Sequence, residues 1–199
     1  MNVCEETWDL WTDGDRTPAA NMAVDEALLV TAGERARPLL RFYGWDRPAV
    51  SIGYIQSYAA APAAGYAVVR RPTGGGVVYH DRDFTYTVVV PAGHWLAALD
   101  RLASYDRINR AVLCGLARFA ADAALADTQI PAWVDRRTMA CFRHPTRYDI
   151  LAGGHKAAGS AQRRTRHGLL HQGSIDRSVL PDVATGELAA AVRAGFERE

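Results

Sequence analysis

The pattern of hydrophobic and polar positions along the chain predicts many short strands with a few helices between them. Apolar or β-branched runs with strand periodicity cover residues 8–11, 39–43, 49–54, 77–80, 84–90, 129–134, 147–151, 157–162 and 169–175. Residues 19–30, 104–123 and 183–196 are predicted to be helices. Because strands and helices do not alternate regularly, we expect an α+β domain with a large mixed or antiparallel sheet and flanking helices.

Local signals place the ends of several elements. Thr17 followed by Pro18 is typical of a helix N-terminus, with a capping residue and then proline in the first turn. Ser104 is expected to cap the clearest helix, and the glycines at 153–154 predict a hairpin turn. Residues 13–15 are expected to form a turn that ends the first strand.

Composition narrows the class of protein. With 199 residues, of which 49% are hydrophobic and 23% charged, we expect a single domain over residues 1–199 with a sizeable core. The net charge of +1 gives no overall attraction to nucleic acid or to a membrane surface. No apolar run is long enough to span a membrane, and the acidic N-terminal segment argues against a secretory signal. We therefore expect a cytoplasmic protein that binds neither nucleic acid nor membrane.

The cysteines carry a further expectation. Cys4, Cys114 and Cys141 are odd in number and widely spaced, whereas a disulfide framework or a zinc site usually shows paired spacing. We therefore expect free thiols and no bound metal. Cys114 lies in a helical stretch and is expected to be a small buried hydrophobe.

Residues 70–81 form the most distinctive stretch, Arg-Arg-Pro-Thr-Gly-Gly-Gly-Val-Val-Tyr-His-Asp. Three glycines between β-branched runs fit a strand, a tight loop and a second strand, because glycine lets another backbone or a ligand approach closely. Two arginines enter the loop, and a histidine and an aspartate leave it. The combination suits an acyl or phosphate-bearing ligand, although glycines alone also fit an ordinary hairpin.

Other residues outside this loop are candidates for chemistry. Cys141 lies in a polar, aromatic stretch, and Lys156 is followed by small residues that leave room for a ligand. An ammonium group near a thiol favours the nucleophilic thiolate, and fifteen residues between the two are enough for one hairpin to bring them together. Cys141 also fits an inert loop cysteine. On the first helix, Asp25 and Glu26 fit either a solvated flank or a place beside the site.

Five blocks of sequence, taken in their order along the chain, form a pattern that can be compared with known families. They are Asn-Met-Ala-Val-Asp-Glu-Ala-Leu at 21–28, Arg-Phe-Tyr-Gly-Trp at 41–45, Ser-Ile-Gly-Tyr-Ile-Gln at 51–56, the glycine stretch at 70–81 and Lys-Ala-Ala-Gly-Ser-Ala-Gln at 156–162. Together they resemble the biotin/lipoate protein ligase superfamily, and more narrowly its lipoate-protein ligase A and octanoyltransferase branch. The likeness covers about residues 8–175, most of the chain.

The resemblance implies a large mixed sheet, a smaller second sheet and a fatty-acyl tunnel between the glycine loop and the lysine strand. Lys156 matches the family's lysine, which contacts the acyl carbonyl or acyl-phosphate. The other substrate-binding residues implied by position lie in the glycine stretch and the lysine strand: Arg71, Gly74, Gly75, Gly76, His80, Gly159, Ser160 and Ala161.

Two chemistries divide this branch. Ligases make an acyl-adenylate from lipoate with ATP and Mg²⁺, whereas octanoyltransferases pass octanoate from a carrier-protein thioester through a cysteine to a lipoyl-domain lysine, with no cofactor. The block Ala-Cys-Phe-Arg-His-Pro at 140–145 is similar to the one that carries the nucleophilic cysteine in octanoyltransferases of Gram-positive bacteria. The resemblance therefore implies an acyltransferase with Cys141 and Lys156 as catalytic residues. Its implied partners are acyl carrier protein and lipoyl-domain proteins, namely 2-oxoacid dehydrogenase E2 subunits and the glycine cleavage H protein.

Several alternatives stay open. Tyr148 stands where ligases usually have asparagine before Asp149. With 24 residues after Ile175, we expect no C-terminal accessory domain of the kind that stand-alone ligases have. The cysteine-dependent enzymes are also longer at the C-terminus. The alternatives are an ATP-dependent lipoate-protein ligase, a transferase between lipoyl domains, and a non-catalytic acyl- or lipoyl-domain-binding paralogue.

A basic turn at residues 163–167 is the last candidate feature. It contains Arg163, Arg164, Arg166 and His167. Such a cluster fits either a docking site for an acidic carrier protein or a solvated hairpin tip.

Overall fold

The computed structural model describes residues 6–61, 65–128 and 145–199. This part of the chain forms four helices: α1 Pro18–Val30, α2 Trp95–Ala98, α3 Arg101–Leu116 and α4 Thr185–Phe196. It also forms ten strands: β1 Asp9–Arg16, β2 Leu39–Trp45, β3 Ala49–Ile52, β4 Ala67–Arg70, β5 Val78–His80, β6 Asp83–Pro91, β7 Ala124–Leu125, β8 Ile150–Ala152, β9 His155–Thr165 and β10 Gly168–Asp176.

Two sheets of unequal size organise these strands. The large sheet has the order β1-β2-β6-β10-β9-β8-β7, and the small sheet has the order β4-β3-β5. The β1–β2 and β3–β4 pairs are parallel, and all the other pairs formed by the described strands are antiparallel. The predicted α+β fold, with a large mixed sheet, a smaller second sheet and flanking helices, is confirmed.

The main core lies between the large sheet and helix α3. Ile108, Val112 and Leu116 recur at helical spacing and are buried against apolar residues of β6 and β10. Helix α4 packs beside α3 and adds Leu188 and Val192 to the same core. Strand β6 runs through the middle of the sheet and is buried along nearly its whole length.

Several predicted element boundaries are wrong, among them the end of helix α3, which lies at Leu116 and not at residue 123. Strand β1 does not end at residues 13–15 but continues to Arg16, with an irregularity in its pairing between Thr12 and Asp15. Helix α3 is capped by Asp100, whose carboxylate accepts a hydrogen bond from the backbone N–H of Ala103, so that Ser104 lies inside the first turn. Asp100 and Ser104 are both good N-cap residues, and the sequence alone does not decide between them.

The other local predictions have mixed outcomes. Thr17 caps α1 and Pro18 opens it, and the glycines at 153–154 form a turn with positive φ. Cys114 is half-buried rather than buried. The predicted strand at 129–134 and Cys141 lie outside the described residues. In the described ranges, no helix has the length and hydropathy needed to cross a membrane.

Candidate active site

An open cleft lies between the two sheets. About 440 Å³ of it is free of protein atoms, a volume that includes open solvent at the mouth. Its walls come from α1, from the small sheet with the segment after β4, and from β2, β6, β9 and β10 of the large sheet. The lining residues are Met22, Tyr43, Trp45, Ser51, Arg71, Val78, His80, Thr85, Gly159, Ser160, Ala161, Gln172, Gly173 and Ser174. An apolar wall with a few polar groups suits an amphipathic ligand.

Strand register explains why these residues meet. Tyr43 pairs with Thr85, Thr85 with Ser174, and Ser174 with Gly159, so that one row crosses four strands. Side chains two residues apart on a strand face the same side. The neighbouring row, which includes Gln172 and Ala161, therefore faces the same side, and small residues of β9 leave room for a ligand there.

The glycine stretch is shaped by close backbone contacts. Gly75 has φ +88°, and a Cβ on Gly53 would lie only 2.1 Å from the carbonyl oxygen of Gly75, so that both positions need glycine. The Arg71 guanidinium donates hydrogen bonds to the carbonyls of Gly74 and Gly76, both at 2.6 Å. Arg71 thus holds the loop in place and also lines the cleft.

His80 lies at the centre of a buried polar chain on the cleft wall. Its Nδ1 is 2.7 Å from Asp83 Oδ2, and its Nε2 is 2.8 Å from the Ser51 hydroxyl. Because a carboxylate only accepts, His80 Nδ1 donates to Asp83, and Nε2 exchanges a hydrogen bond with the Ser51 hydroxyl. The Trp45 ring stacks on the imidazole with centroids 4.0 Å apart. Asp83 was missed by sequence reasoning, although its spacing of three residues from His80 was a usable signal.

Lys156 forms a buried ion pair. Its Nζ lies 2.7 Å from Asp149 Oδ2, and both side chains are 4% exposed. Gly159 makes room for the pair, since a Cβ there would lie 2.4 Å from Lys156 Cε. Lys156 is also the only lysine in a chain with 23 lysine and arginine residues, a sequence signal that was missed. The predicted lysine is therefore next to a residue of the cleft wall.

The segment before Asp149 has an unusual backbone. Tyr148 has φ +71°, a conformation uncommon for residues other than glycine. Asn109 of α3 donates from Nδ2 to the Tyr148 carbonyl at 2.8 Å and accepts from the Ser160 hydroxyl at 3.2 Å. Asn109 thus links the segment carrying Asp149 to a residue that lines the cleft. Sequence reasoning missed it, because it lies in a distant helix.

A second buried ion pair lies beneath α1. Arg41 Nη1 is 2.7 Å from Asp25 Oδ1, and both side chains are fully buried. The other Asp25 oxygen accepts from Thr87 at 2.8 Å and from Gln172 at 2.7 Å. Burial raises the pKa of Asp25, and the charge of Arg41 opposes that shift. Asp25 is buried and therefore does not lie on a solvated flank of α1, whereas Glu26 is exposed to solvent.

This second pair is connected to the cleft. Gln172, which lines it, accepts a hydrogen bond from the Thr73 hydroxyl at 2.6 Å. Thr73 precedes the three glycines, so the chain of hydrogen bonds runs from α1 through β10 to the glycine loop. Asp25 therefore helps to hold the loop against the large sheet.

The predicted basic turn at 163–167 is wrong in part, because Arg163 and Arg164 lie in β9 and only Arg166 and His167 form the turn. Arg164 donates to the Ala97 carbonyl at 2.7 Å and to the Ser104 hydroxyl at 2.6 Å, tying the end of β9 to α2 and α3. Arg163 donates to the Pro72 carbonyl at 3.1 Å, on the side of the glycine loop. Arg164 therefore contacts α2 and α3, whereas Arg163 contacts the segment that leads into the glycine loop, next to the cleft.

The structure thus brings together most of the predicted site. Arg71, His80 and the three small residues of β9 line one cleft, Lys156 adjoins Gly159, and the three glycines form the loop that Arg71 holds. Cys141 lies outside the described residues, so its approach to Lys156 stays a prediction. Among the described residues, no group of three or more His, Cys, Asp or Glu side chains is arranged to hold a metal ion.

The chain therefore combines two sheets of unequal size with a cleft between them, and β9, the strand that carries Lys156, forms part of the cleft wall. The family model of the lipoyl protein ligase A/B catalytic domain matches residues 17–188, and the chain belongs to that family. Octanoyltransferase LipM of Symbiobacterium thermophilum is 40% identical over 186 residues, covering 86% of this chain and 65% of the relative. Octanoyltransferase LipM of Bacillus subtilis is 36% identical over 182 residues, covering 86% and 66%. The chain thus spans about two thirds of the length of these curated relatives.

Solved structures agree on the fold. A T. acidophilum protein with bound lipoic acid superimposes with a TM-score of 0.78 at 23% identity, covering 98% of this chain and 84% of that one. A lipoate-protein ligase A bound with ATP gives a TM-score of 0.72 at 24% identity, covering 98% and 85%. At these identities the likeness shows a shared fold and leaves the choice between transferase and ligase chemistry to other observations.

Proposed function

We propose that the chain is an octanoyltransferase of protein lipoylation, which moves an octanoyl group from acyl carrier protein to the lysine of a lipoyl domain. The observation that carries the proposal is the identity of 36–40% over most of the chain with proteins named octanoyltransferase. The proposed acceptors are 2-oxoacid dehydrogenase E2 subunits and the glycine cleavage H protein. A thioester is already activated, so this reaction needs no ATP.

The cleft supports binding of an acyl chain. Met22, Trp45 and Val78 supply apolar surface, and Gly159 and Ala161 keep the β9 wall shallow. Each methylene buried there contributes about 0.8 kcal/mol, so an eight-carbon chain gains substantial binding energy from apolar contact alone. In the proposal, the glycine loop closes the other side of the chain.

The chemistry proceeds in two acyl transfers. The Cys141 thiolate attacks the thioester carbonyl of octanoyl-carrier protein, the carbon–sulfur bond to the carrier breaks, and the carrier thiol leaves after taking up a proton. The lipoyl-domain lysine amine then attacks octanoyl-Cys141. The bond to Cys141 breaks, an amide forms, and the proton released by the amine returns to the Cys141 sulfur.

Lys156 has a defined part in this scheme. Each transfer passes through a tetrahedral oxyanion, and a buried ammonium group stabilises such a charge more strongly than water does. Asp149 fixes the position of the ammonium group at 2.7 Å, and Gly159 gives it space. His80 and Arg71 lie on the opposite wall, where they contact the polar end of the acyl group in this proposal.

The test is a transfer assay with intact-mass detection of the acceptor. Apo lipoyl domain is incubated with octanoyl-carrier protein and the protein without ATP, and in parallel with free lipoate, ATP and Mg²⁺. The proposal predicts a mass gain of one octanoyl group in the first reaction. Modification only in the second reaction would replace the proposal by the ligase alternative. Acyl-chain or lipoyl-domain binding with no product in either would favour the non-catalytic paralogue.

A further inference from the structure

An exposed apolar surface lies on the loop that follows β3. Tyr54, Ile55 and Tyr58, here named the 54–58 surface, are 51%, 78% and 60% exposed. Large apolar side chains clustered so closely in one short loop are unusual on a protein with no partner, because their exposure to water is unfavourable. The cluster therefore marks a candidate contact surface.

The backbone under this surface is firmly held. Arg70 Nη1 donates to the carbonyls of Gly53 at 3.0 Å, Tyr54 at 2.9 Å and Gln56 at 2.6 Å. The buried Gln56 side chain accepts from the Gly53 N–H at 2.9 Å and closes the turn. A loop that is already ordered pays little conformational entropy when a partner binds.

Two positive charges accompany the apolar side chains. The Arg163 guanidinium lies 4.3 Å from the Tyr54 ring centroid, and that of Arg70 lies 5.3 Å from the Tyr58 ring centroid. Their hydrogen-bond partners are backbone carbonyls, and in the described parts of the chain neither arginine forms an ion pair with a carboxylate. The 54–58 surface therefore suits a partner with an apolar centre and acidic surroundings.

The surface also adjoins the cleft. Ser51 lines the cleft and Tyr54 follows three residues later, a separation of about 10 Å at most along an extended chain. The Tyr54 N–H donates to the Thr73 carbonyl at 2.8 Å, and Arg163 donates to the Pro72 carbonyl. A protein bound at this surface is therefore placed next to the glycine loop.

We propose that the 54–58 surface docks the acceptor lipoyl domain, an inference that rests on the proposed function. A lysine side chain reaches only roughly 6 Å from its Cα, since it has five bonds of about 1.5 Å, so the acceptor domain must sit beside the cleft. A carrier protein presents its thioester on a long prosthetic arm and is free to dock further away. The short reach of lysine therefore favours a surface that adjoins the cleft, such as the 54–58 surface, for the acceptor.

The test compares Ile55→Asp with Leu102→Asp. Ile55 is 78% exposed and Leu102, on α3, is 44% exposed, so neither change disturbs the core. Binding of apo lipoyl domain is titrated by calorimetry, and the KM for the acceptor is measured with octanoyl-carrier protein saturating. We expect Ile55→Asp to raise both the Kd and the KM at least tenfold, as replacement of a central contact residue does. Leu102→Asp should leave the Kd and the KM for the acceptor unchanged. Neither substitution should change the rate of octanoyl-enzyme formation.

The other outcomes are equally informative. An unchanged Kd and KM for the acceptor would overturn the proposal. A raised KM for octanoyl-carrier protein with an unchanged acceptor KM would also overturn it and assign the surface to the carrier. If wild type transfers no octanoate, the proposed function fails, but the calorimetric comparison still decides whether the lipoyl domain docks at Ile55. Absence of lipoyl-domain binding to wild type would contradict the docking proposal directly.

Discussion

Two of the buried ion pairs in the described part of the chain differ in what surrounds them. Asp25 and Arg41 are fully buried, and Asp13 together with several neutral side chains completes the hydrogen bonding of the two groups. Lys156 and Asp149 are also buried, but they lie beside Gly159 on the wall of an open cleft. The comparison indicates that the first pair connects elements of the core, whereas the second lies directly behind a residue of the cleft wall.

The distinction has a physical basis. A buried ion pair gains little net stability over an apolar replacement, because desolvation offsets the attraction between the charges. Such a pair is therefore retained where it specifies an arrangement or performs chemistry. Asp25 specifies an arrangement, since it contacts three strands through Arg41, Thr87 and Gln172.

The largest expected effect is that of Arg41→Met on stability. The change leaves Asp25 and Asp13 without their buried cation, and we expect the free energy of unfolding to fall by about 3–5 kcal/mol. Urea denaturation followed by circular dichroism measures the change. The matched control is Arg47→Met, because Arg47 is exposed and pairs only with its neighbour Asp46 in the described structure; there we expect less than about 1 kcal/mol. Equal effects of the two substitutions would remove the structural role assigned to Arg41.

The next effect is that of Lys156→Met on catalysis. Loss of the ammonium group removes oxyanion stabilisation, and we expect the octanoyl-transfer rate to fall about 10²–10³-fold. The double variant Lys156→Met/Asp149→Asn removes the uncompensated carboxylate as well. It should recover stability relative to Lys156→Met but recover no activity. Recovery of transfer by the double variant would show that Lys156 acts through the fold, as Arg41 does.

A smaller effect concerns a buried titratable group that lacks a charged partner. Nδ1 of the His171 ring accepts a hydrogen bond from Gln162, and Nε2 has no hydrogen-bond partner among the described residues. Burial lowers the pKa of His171 to about 3. The unfolded chain takes up this proton below about pH 6.5 and the folded chain does not, so stability falls as the pH decreases. Between pH 7 and pH 5 we expect a loss of about 2 kcal/mol from this residue.

The variant His171→Gln isolates that contribution. It removes the titrating ring, so its stability should change less than that of wild type between pH 7 and pH 5. Parallel urea titrations at the two pH values provide the comparison, whatever the baseline stability of the variant. The same loss of stability between pH 7 and pH 5 in both proteins would contradict the assignment to His171.

The smallest effect is that of Asn109→Ala. The Tyr148 carbonyl loses its side-chain donor, and we expect a cost of about 1–2 kcal/mol in thermal or urea unfolding. Ser160→Ala is the control, since it breaks only the weaker 3.2 Å bond to Asn109. If Asn109 positions the segment of Asp149, its loss also lowers the transfer rate. A change in stability with an unaltered rate would restrict Asn109 to a structural role.

Much of the fold follows from periodicity. Strands rich in valine and helices with an apolar stripe are local features, and nearly all the predicted elements are present within the described residues. Two of the errors occurred where two local solutions compete. Asp100 and Ser104 both suit a helix cap, and residues 13–15 look like a turn but continue β1, where Asp13 is held by Arg16 and Arg41.

The site was predicted less completely. The ordered sequence blocks led to the prediction of Arg71, His80 and Lys156, because residues inside a motif can be assigned by their place in it. Ser51 and Asn109 were missed because their roles depend on contacts between distant segments, which no local pattern reports. Asp83 was missed although it lies only three residues from His80, its partner.

The central claim is that octanoate passes through a thioester on the enzyme. Intact-protein mass spectrometry after incubation with octanoyl-carrier protein, with and without ATP, tests it most directly. We expect a gain of one octanoyl group without ATP, which hydroxylamine removes, which is absent in Cys141→Ala and which forms much more slowly in Lys156→Met. An unmodified enzyme that instead forms an acyl-adenylate from ATP and lipoate would contradict the account and assign the cleft to ligase chemistry.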